Sequence, residues 1–292
     1  VGNRADSTRK VSLVVGAAFC GAAVFTCVWL VLDLDASLSR LQRQGSVRVG
    51  YAVEAPYAFL TSVGEVTGES PEIAARMAAR LGIARVDWRG MEFGALIDEL
   101  EAGHIDVIAA GLFRTPERAR RVCFSLPTLQ VCSGLLVAKG NPLNLHAERQ
   151  LVTNGAVRLA VLSGSIEEQR LIRSGVEARR LVGVPDALTG KAAVVAGVAD
   201  ALPLSLPSVK WMAKQGELKD IEWAQPFEPL AEREIGYAAF AFRKRDRRLR
   251  TAWDRALSGF LSTPEHQSLI ARFGLTAADV PVPPAGCREE SE

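Results

Sequence analysis

From Val47 to Gly111 short apolar runs alternate with amphipathic ones, and this alternation restricts the fold more than any other feature of the chain. VRVGYAV (47–53) reads as a buried strand. SPEIAARMAARLG (70–82) reads as a helix, with Ile73, Met77 and Leu81 recurring at i, i+4 and i+8. Ser70 is placed to cap that helix, Pro71 to open it and Gly82 to end it. ARVDW (84–88) is a second strand, and FGALIDELEAG (93–103) a second helix with Leu96, Ile97 and Leu100 inward. IDVIAAG (105–111) is a third strand. Thr115-Pro116-Glu117-Arg118 then has the cap, the first-position proline and the early acid of another helix. The order β-α-β-α-β-α predicts a parallel sheet covered on both faces.

The pattern recurs further on. VRLAVL (157–162), RRLVGV (179–184), ADALPL (199–204) and DIEWA (220–224) read as strands. Helices are expected from Ile166, over DALTGKAAVVAGV (186–198), and from Pro207 to Gly216. EIGYAAFAF (234–242) is one more strand, followed by helices Arg247–Leu261 and Pro264–Phe273. The expected architecture is α/β with two lobes and a hinge. Lobe one takes 46–128 and 236–275, lobe two takes 133–232, and crossings near 128–133 and 233–238 form the hinge. Residues 276–292 are proline-rich, acidic and without periodicity, so disorder is expected there.

Residues 1–36 stand apart. Val11 to Leu32 carry no charge, and a run of about 20 residues or more can span a bilayer as a helix. Arg4, Arg9 and Lys10 precede it, and Asp33 and Asp35 follow, so the remainder is expected outside the cytoplasm. The run is longer than a signal-peptide core and no small-x-small site follows it. A retained anchor is therefore expected, with a cleaved signal as the other reading. The net charge of +2 gives no general case for nucleic-acid binding. Cys20 and Cys27 lie in the apolar run, and Cys123, Cys132 and Cys287 are widely spaced. That spacing is neither a disulfide framework nor a zinc pattern. A Cys123–Cys132 bridge is conceivable in an oxidising compartment, but small buried thiols are the expected reading.

In open α/β sheets ligands bind beyond the carboxyl ends of the strands. There the loop after strand one carries Glu54 and Tyr57, the loop after strand two Phe93, and the loop after strand three Phe113 and Arg118. Alone, each aromatic reads as core packing and Arg118 as solvated charge, as its neighbours Arg114, Arg120 and Arg121 do. Together at one edge they read as a site. An Arg near a helix start suits a carboxylate. Aromatic faces attract a cation, by about 0.5–2 kcal/mol each, and Glu54 adds the opposite charge. The group predicts a small zwitterion with a carboxylate and a delocalised or bulky cation.

LSRLQRQGSVRVGYAVEAPYAFL, VTGESPEIAARMAARLG, EFGALIDELEAGHIDVIAAGLFRTPER and FSLPT closely resemble the family 3 extracellular solute-binding proteins of ABC importers, and among them the ectoine/hydroxyectoine-binding subgroup. The resemblance spans about 38–275, densely in lobe one and thinly in lobe two. It implies a periplasmic-binding-protein-like (type II) fold that closes over a small ligand and docks on membrane permease subunits. It implies that Arg118 grips the carboxylate, and that Glu54, Tyr57, Phe93 and Phe113 surround the cation. Phe113 stands where many amino-acid binders have Thr. In lobe two, Ser165 of SGSIEE can present a hydroxyl at a helix start, and Ser205 stands where amino-acid binders carry an Asp. Phe113 and Ser205 both point away from an ordinary α-amino acid.

Other functions have weaker support. His104, His146 and His266 are scattered, no GxSxG is present, and TGKAA lacks the rest of a phosphate loop. No metal and no cofactor is expected, and an enzyme would have only Glu54 as a candidate acid. A polar amino-acid binder and a tethered sensory subunit remain as alternatives.

Overall fold

The structure, a computed structural model, describes residues 35–214, 220–229 and 235–281. The expected membrane span at 11–32 lies outside these residues, as does the tail beyond Pro281. Among the described residues no helix is long and apolar enough to cross a membrane.

The chain enters through α1 (Ser37–Gln44) and β1 (Ser46–Tyr51), then a small hairpin, β2 (Phe59–Leu60) and β3 (Val66–Thr67). There follow α2 (Glu69–Arg80), β4 (Arg85–Gly90), a 3-10 turn at Phe93–Ala95 running into α3 (Leu96–Ala102), β5 (Val107–Ile108), α4 (Pro116–Ala119) and β6 (Val122–Val131). Past Cys132 come β7 (Ser133–Ala138), α5 (Glu148–Thr153), β8 (Leu159–Leu162), α6 (Ile166–Arg173), β9 (Leu181–Val184), α7 (Ala187–Val195), β10 (Ala201–Ser205), α8 (Leu206–Lys214) and β11 (Ile221–Trp223). The chain then returns through β12 (Gly236–Arg243), α9 (Arg247–Ser258) and α10 (Pro264–Ala271).

Two five-stranded sheets result, ordered β4-β1-β5-β12-β6 and β11-β7-β10-β8-β9. In the first, β1 runs parallel to β4 and β5, while β12 runs antiparallel to β5 and β6. In the second, β8 is parallel to β9 and β10, and β7 is antiparallel to β10 and β11. Each sheet is therefore mixed, which corrects the expectation of a wholly parallel one. The reversed strands are β12, which brings the chain back into the first sheet, and β7, which opens the second; β6 runs with β1 and β5. Pro127 concealed β6 in the sequence; β6 lies at a sheet edge, where a missing N–H is tolerated.

The periodic positions do the packing. Val47, Val49, Ile73 and Met77 are fully buried in the first lobe, and Phe240 and Phe242 flank Trp253 edge-on at 5.4 and 5.6 Å. Leu135, Leu159, Val161 and Leu171 fill the equivalent place in the second. One polar hub lies below the first sheet. The buried Asp106 carboxylate accepts from Arg48 (2.9 Å), Arg40 (3.1 Å) and Arg243 (2.8 Å), tying α1, β1 and β12 together.

Three local expectations need correction. Helix α2 starts at Glu69, not after a Ser70 cap. Its N-cap is Gly68 at φ 125°, where a Cβ would lie 2.4 Å from the Tyr57 carbonyl, so only glycine fits. Ser70 Oγ instead donates to Glu69 (2.6 Å) and accepts from the Gly111 N–H (3.2 Å). Secondly, 276–281 are ordered: Thr276 and Asp279 cap a 3-10 turn, and Val280 is buried in the first core. Thirdly, Cys132 is exposed rather than buried. Cys123 lies near the start of β6 and Cys132 just past its end, roughly 30 Å away at about 3.3 Å per residue, and the two cannot be joined.

Candidate functional site

The site is assembled at the carboxyl ends of the first sheet's parallel strands. After β1 the chain makes a tight loop in which Glu54 N–H donates to the Ala58 carbonyl (2.8 Å) and Tyr57 N–H to the Glu54 carbonyl (2.9 Å). Phe93 opens the turn after β4. Phe113 follows β5, its backbone bridged to Ala238, and its ring packs so close to Gly236 that a Cβ there would fall 2.9 Å from it.

Arg118 is set by the helix start that the sequence predicts. Thr115 Oγ1 accepts its N–H at 3.2 Å with Pro116 in the first turn. The guanidinium is buried. Nη1 donates to the Phe113 carbonyl (2.8 Å), and Nη2 reaches across to the Gly164 carbonyl of the second lobe (2.9 Å). It stands 5.5 Å over the Phe93 ring. Burial lowers its pKa to about 10, against the opposing pull of Glu167, Glu117 and Glu54.

The second lobe supplies hydroxyls. Tyr57 Oη donates to Ser205 Oγ (2.9 Å), Ser205 Oγ to Ser208 Oγ (3.1 Å), and Ser208 Oγ to Glu54 Oε1 (2.6 Å). Glu54 is buried, and burial pushes its carboxyl up to about 7; Glu167 adds to the rise, while Ser208 and Arg118 oppose it. Burial also raises the Tyr57 phenol well above its ordinary value. Ser165 caps α6 by accepting the Glu168 N–H at 3.0 Å.

Glu54, Phe93, Phe113, Arg118, Ser165 and Ser205 all line one cavity between the lobes. Tyr57 does not line it. Its ring lies beneath Gly111, whose Cβ would be 2.6 Å from Tyr57 Cγ, so this side chain is a floor that sends only its hydroxyl onward. The cavity measures ≈ 20 Å³, room for about one water. The lobes are thus closed on each other, and a solute enters only when they part. Among the described residues no cluster of His, Cys, Asp or Glu is placed to hold a metal ion.

Residues 47–276 match the family described as bacterial extracellular solute-binding proteins, family 3. The chain belongs to this family. Proteins of the family bind a small ligand outside the cytoplasm and work with ABC permeases. The chain is 30% identical over 243 residues to a probable amino-acid ABC transporter periplasmic-binding protein, y4tE, of Sinorhizobium fredii (strain NBRC 101917 / NGR234), covering 82% of this chain and 80% of that one. Its fold is similar to the crystal structure of EhuB in complex with hydroxyectoine, with a TM-score of 0.77, 30% identity, and coverage of 83% of this chain and 93% of that one. It is also 31% identical over 139 residues to a membrane-bound lytic murein transglycosylase F of Ectopseudomonas mendocina (strain ymp), but that match covers 46% of this chain and 27% of that protein.

As a member of this family, the chain has three cleft features that its sequence did not disclose. Ser208, one turn beyond Ser205, is the direct partner of Glu54. Gly94 and Gly164 are a point where the backbones of the two lobes touch: a Cβ on Gly164 would lie 2.8 Å from Gly94 Cα. Glu167 is buried and lines the cavity. The signal for it was the acid pair of SGSIEE. Glu168 turns back to accept the Gly164 N–H (2.7 Å), which leaves Glu167 for the cleft.

Proposed function

We propose that the cleft binds a small solute carrying one carboxylate and one delocalised cation, of the ectoine or hydroxyectoine type, and hands it to an ABC permease. The supporting observation is that a buried guanidinium, Arg118, and a buried carboxyl, Glu54, face one cavity together with the rings of Phe93 and Phe113. Arg118 would grip the carboxylate with two charge-assisted hydrogen bonds. Glu54 would meet the cation between the two rings. Ser165 and Ser205 would close from the other lobe, 133–232 turning on 46–128 and 236–275 about Cys132 and the return crossing. The likeness to EhuB in complex with hydroxyectoine fits this reading. The uncharged run at 11–32 would hold the protein at the membrane, which carbonate extraction of membranes tests.

Polar amino acids are the second reading. The y4tE likeness and the extra cleft acid, Glu167, favour it. Calorimetry on the full chain with ectoine, hydroxyectoine, glycine betaine, glutamine and arginine separates the two. Arg118→Ala should abolish binding of every carboxylate ligand in that set. Undiminished binding by this variant overturns the site.

A further inference from the structure

Glu167 sits in the first turn of α6, deep in the cleft, and is buried. Its carboxylate is met by its own backbone amide. The charges facing it are Arg170 on its own helix, Glu148 on α5, and Arg118 and Glu54 across the cleft. Arg170 is already engaged with Glu148 at 3.2 Å. That leaves the cavity with two carboxyls, Glu54 and Glu167, against one guanidinium, Arg118.

Charge counting then separates ligands. A zwitterion adds one positive and one negative group, so the closed cavity keeps one uncompensated negative charge. Such a charge costs heavily when buried, and the site escapes by taking up a proton. A solute with a carboxylate and two cationic groups brings the sum to zero without a proton.

We propose that Glu167 is a specificity-determining residue that selects solutes of net charge +1 over zwitterions: the carboxylate on Arg118, one delocalised cation on Glu54 between Phe93 and Phe113, and a second cationic group on Glu167. The inference rests on the cleft proposed above as the binding site and, by charge class, favours the polar amino-acid reading over the ectoine type. Zwitterions still enter, but with proton uptake. Burial raises the Glu167 carboxyl, and Glu148 adds to the rise against the pull of Arg170 and Arg118, so it is a ready acceptor for that proton.

The test is calorimetry on the full chain with arginine as the monocation and ectoine as the zwitterion, from pH 6 to 9, in buffers of differing ionisation enthalpy. Wild-type protein should prefer arginine by about tenfold or more at pH 8, an outcome equivalent to one unfavourable charge. Ectoine binding should take up a proton and weaken by up to about tenfold per pH unit, the limit for one linked proton. Glu167→Gln should cut the arginine preference by about tenfold and remove the proton uptake, with ectoine held or gained. A structural role alone would weaken both ligands alike and leave their ratio unchanged. If Glu167→Gln unfolds, Glu167→Ser carries the same comparison, with thermal melting confirming the fold. An unchanged ratio, or wild-type preference for ectoine without proton uptake, overturns the inference and leaves the binding site standing. If neither solute binds wild-type protein, both readings fall.

Discussion

Gly94 is the place where closure can be perturbed without touching the solute or the core. Its backbone is not in the left-handed region, so a side chain costs nothing locally. A Cβ would lie 3.2 Å from the Ser163 carbonyl oxygen and 3.9 Å from Gly164 Cα, both on the opposing lobe. Ordinary contact begins near 3.4 Å, so Gly94→Ala asks the lobes to part by a few tenths of an ångström. Overpacking costs about 1–3 kcal/mol, with alanine at the low end and valine, whose two further methyls have no room, at the high end. The opposing atoms belong to a lobe that can swing on the crossing at Cys132, so the strain is relieved by opening rather than by unfolding. Affinity scales with the fraction of competent, closed molecules. Gly94→Ala should therefore weaken solute binding about fivefold and Gly94→Val by roughly a hundredfold. The melting temperature of the solute-free protein should stay put, and the radius of gyration by small-angle scattering should rise in the order wild type, Ala, Val. If Val binds solute like wild type and scatters like it, the lobes do not close on Gly94. If the melting temperature falls in step with affinity, the strain is not relieved at the hinge and the rigid-lobe reasoning fails.

Other substitutions separate the forces in the site. The Glu54 carboxyl rises from 4.5 to about 7 on burial, so the unfolded chain loses this proton first as pH rises and the fold is destabilised between those values by up to about 3 kcal/mol at 1.36 kcal/mol per pH unit. Glu54→Gln should thus melt higher than wild type above pH 7, equal it near pH 4, and lose the cationic ligand; a lower melting point at pH 8 would refute the burial argument. Ser208→Ala removes the donor to Glu54 that solute-free closure relies on, at a cost of about 1–3 kcal/mol; scattering should show a more open solute-free protein, and a scattering profile identical to wild type would count against the latch. Asp106→Asn removes the carboxylate shared by Arg40, Arg48 and Arg243 and leaves the buried Arg243 with Asp246 alone (2.7 Å), so about 3 kcal/mol should be lost, seen as a drop of roughly 10 °C in melting temperature with solute affinity retained. Because Arg48, Arg243 and Arg40 hold the Asp106 carboxyl far below the usual range, despite its burial, wild type should keep that stabilisation until strongly acidic pH.

The lobe-one half of the site was legible because local rules place it. A helix start fixes Arg118, and strand ends fix Glu54, Phe93 and Phe113. Each needs only the period of its own segment and the rule that ligands gather at strand carboxyl ends. The Tyr57 floor was not legible, since it depends on Gly111 leaving room beneath the cleft. Nor were Ser208, Glu167 and the Gly94–Gly164 contact, which exist only once two sheets far apart in sequence face each other. One strand, β6, escaped for a different reason. β6 carries a proline and lacks alternation, and its strand state is imposed by pairing with β12 rather than by its own sequence.

The closed lobes hold each other with the groups that a solute would need. Arg118 spends one side of its guanidinium on the Gly164 carbonyl, and Glu54 accepts from Ser208. A carboxylate arriving at Arg118 and a cation arriving at Glu54 must compete with those two bonds, so entry requires both to break. The exchange is not neutral, because the solute offers full charges where Gly164 and Ser208 offer dipoles. Charge-assisted hydrogen bonds are about twice as strong as neutral ones, and the difference is largest where water is excluded. A solute with only one of the two charges recovers half of this gain while breaking both bonds. In the proposed binding mode, selection for a carboxylate and a cation on one small molecule would therefore follow from how the empty cleft is latched.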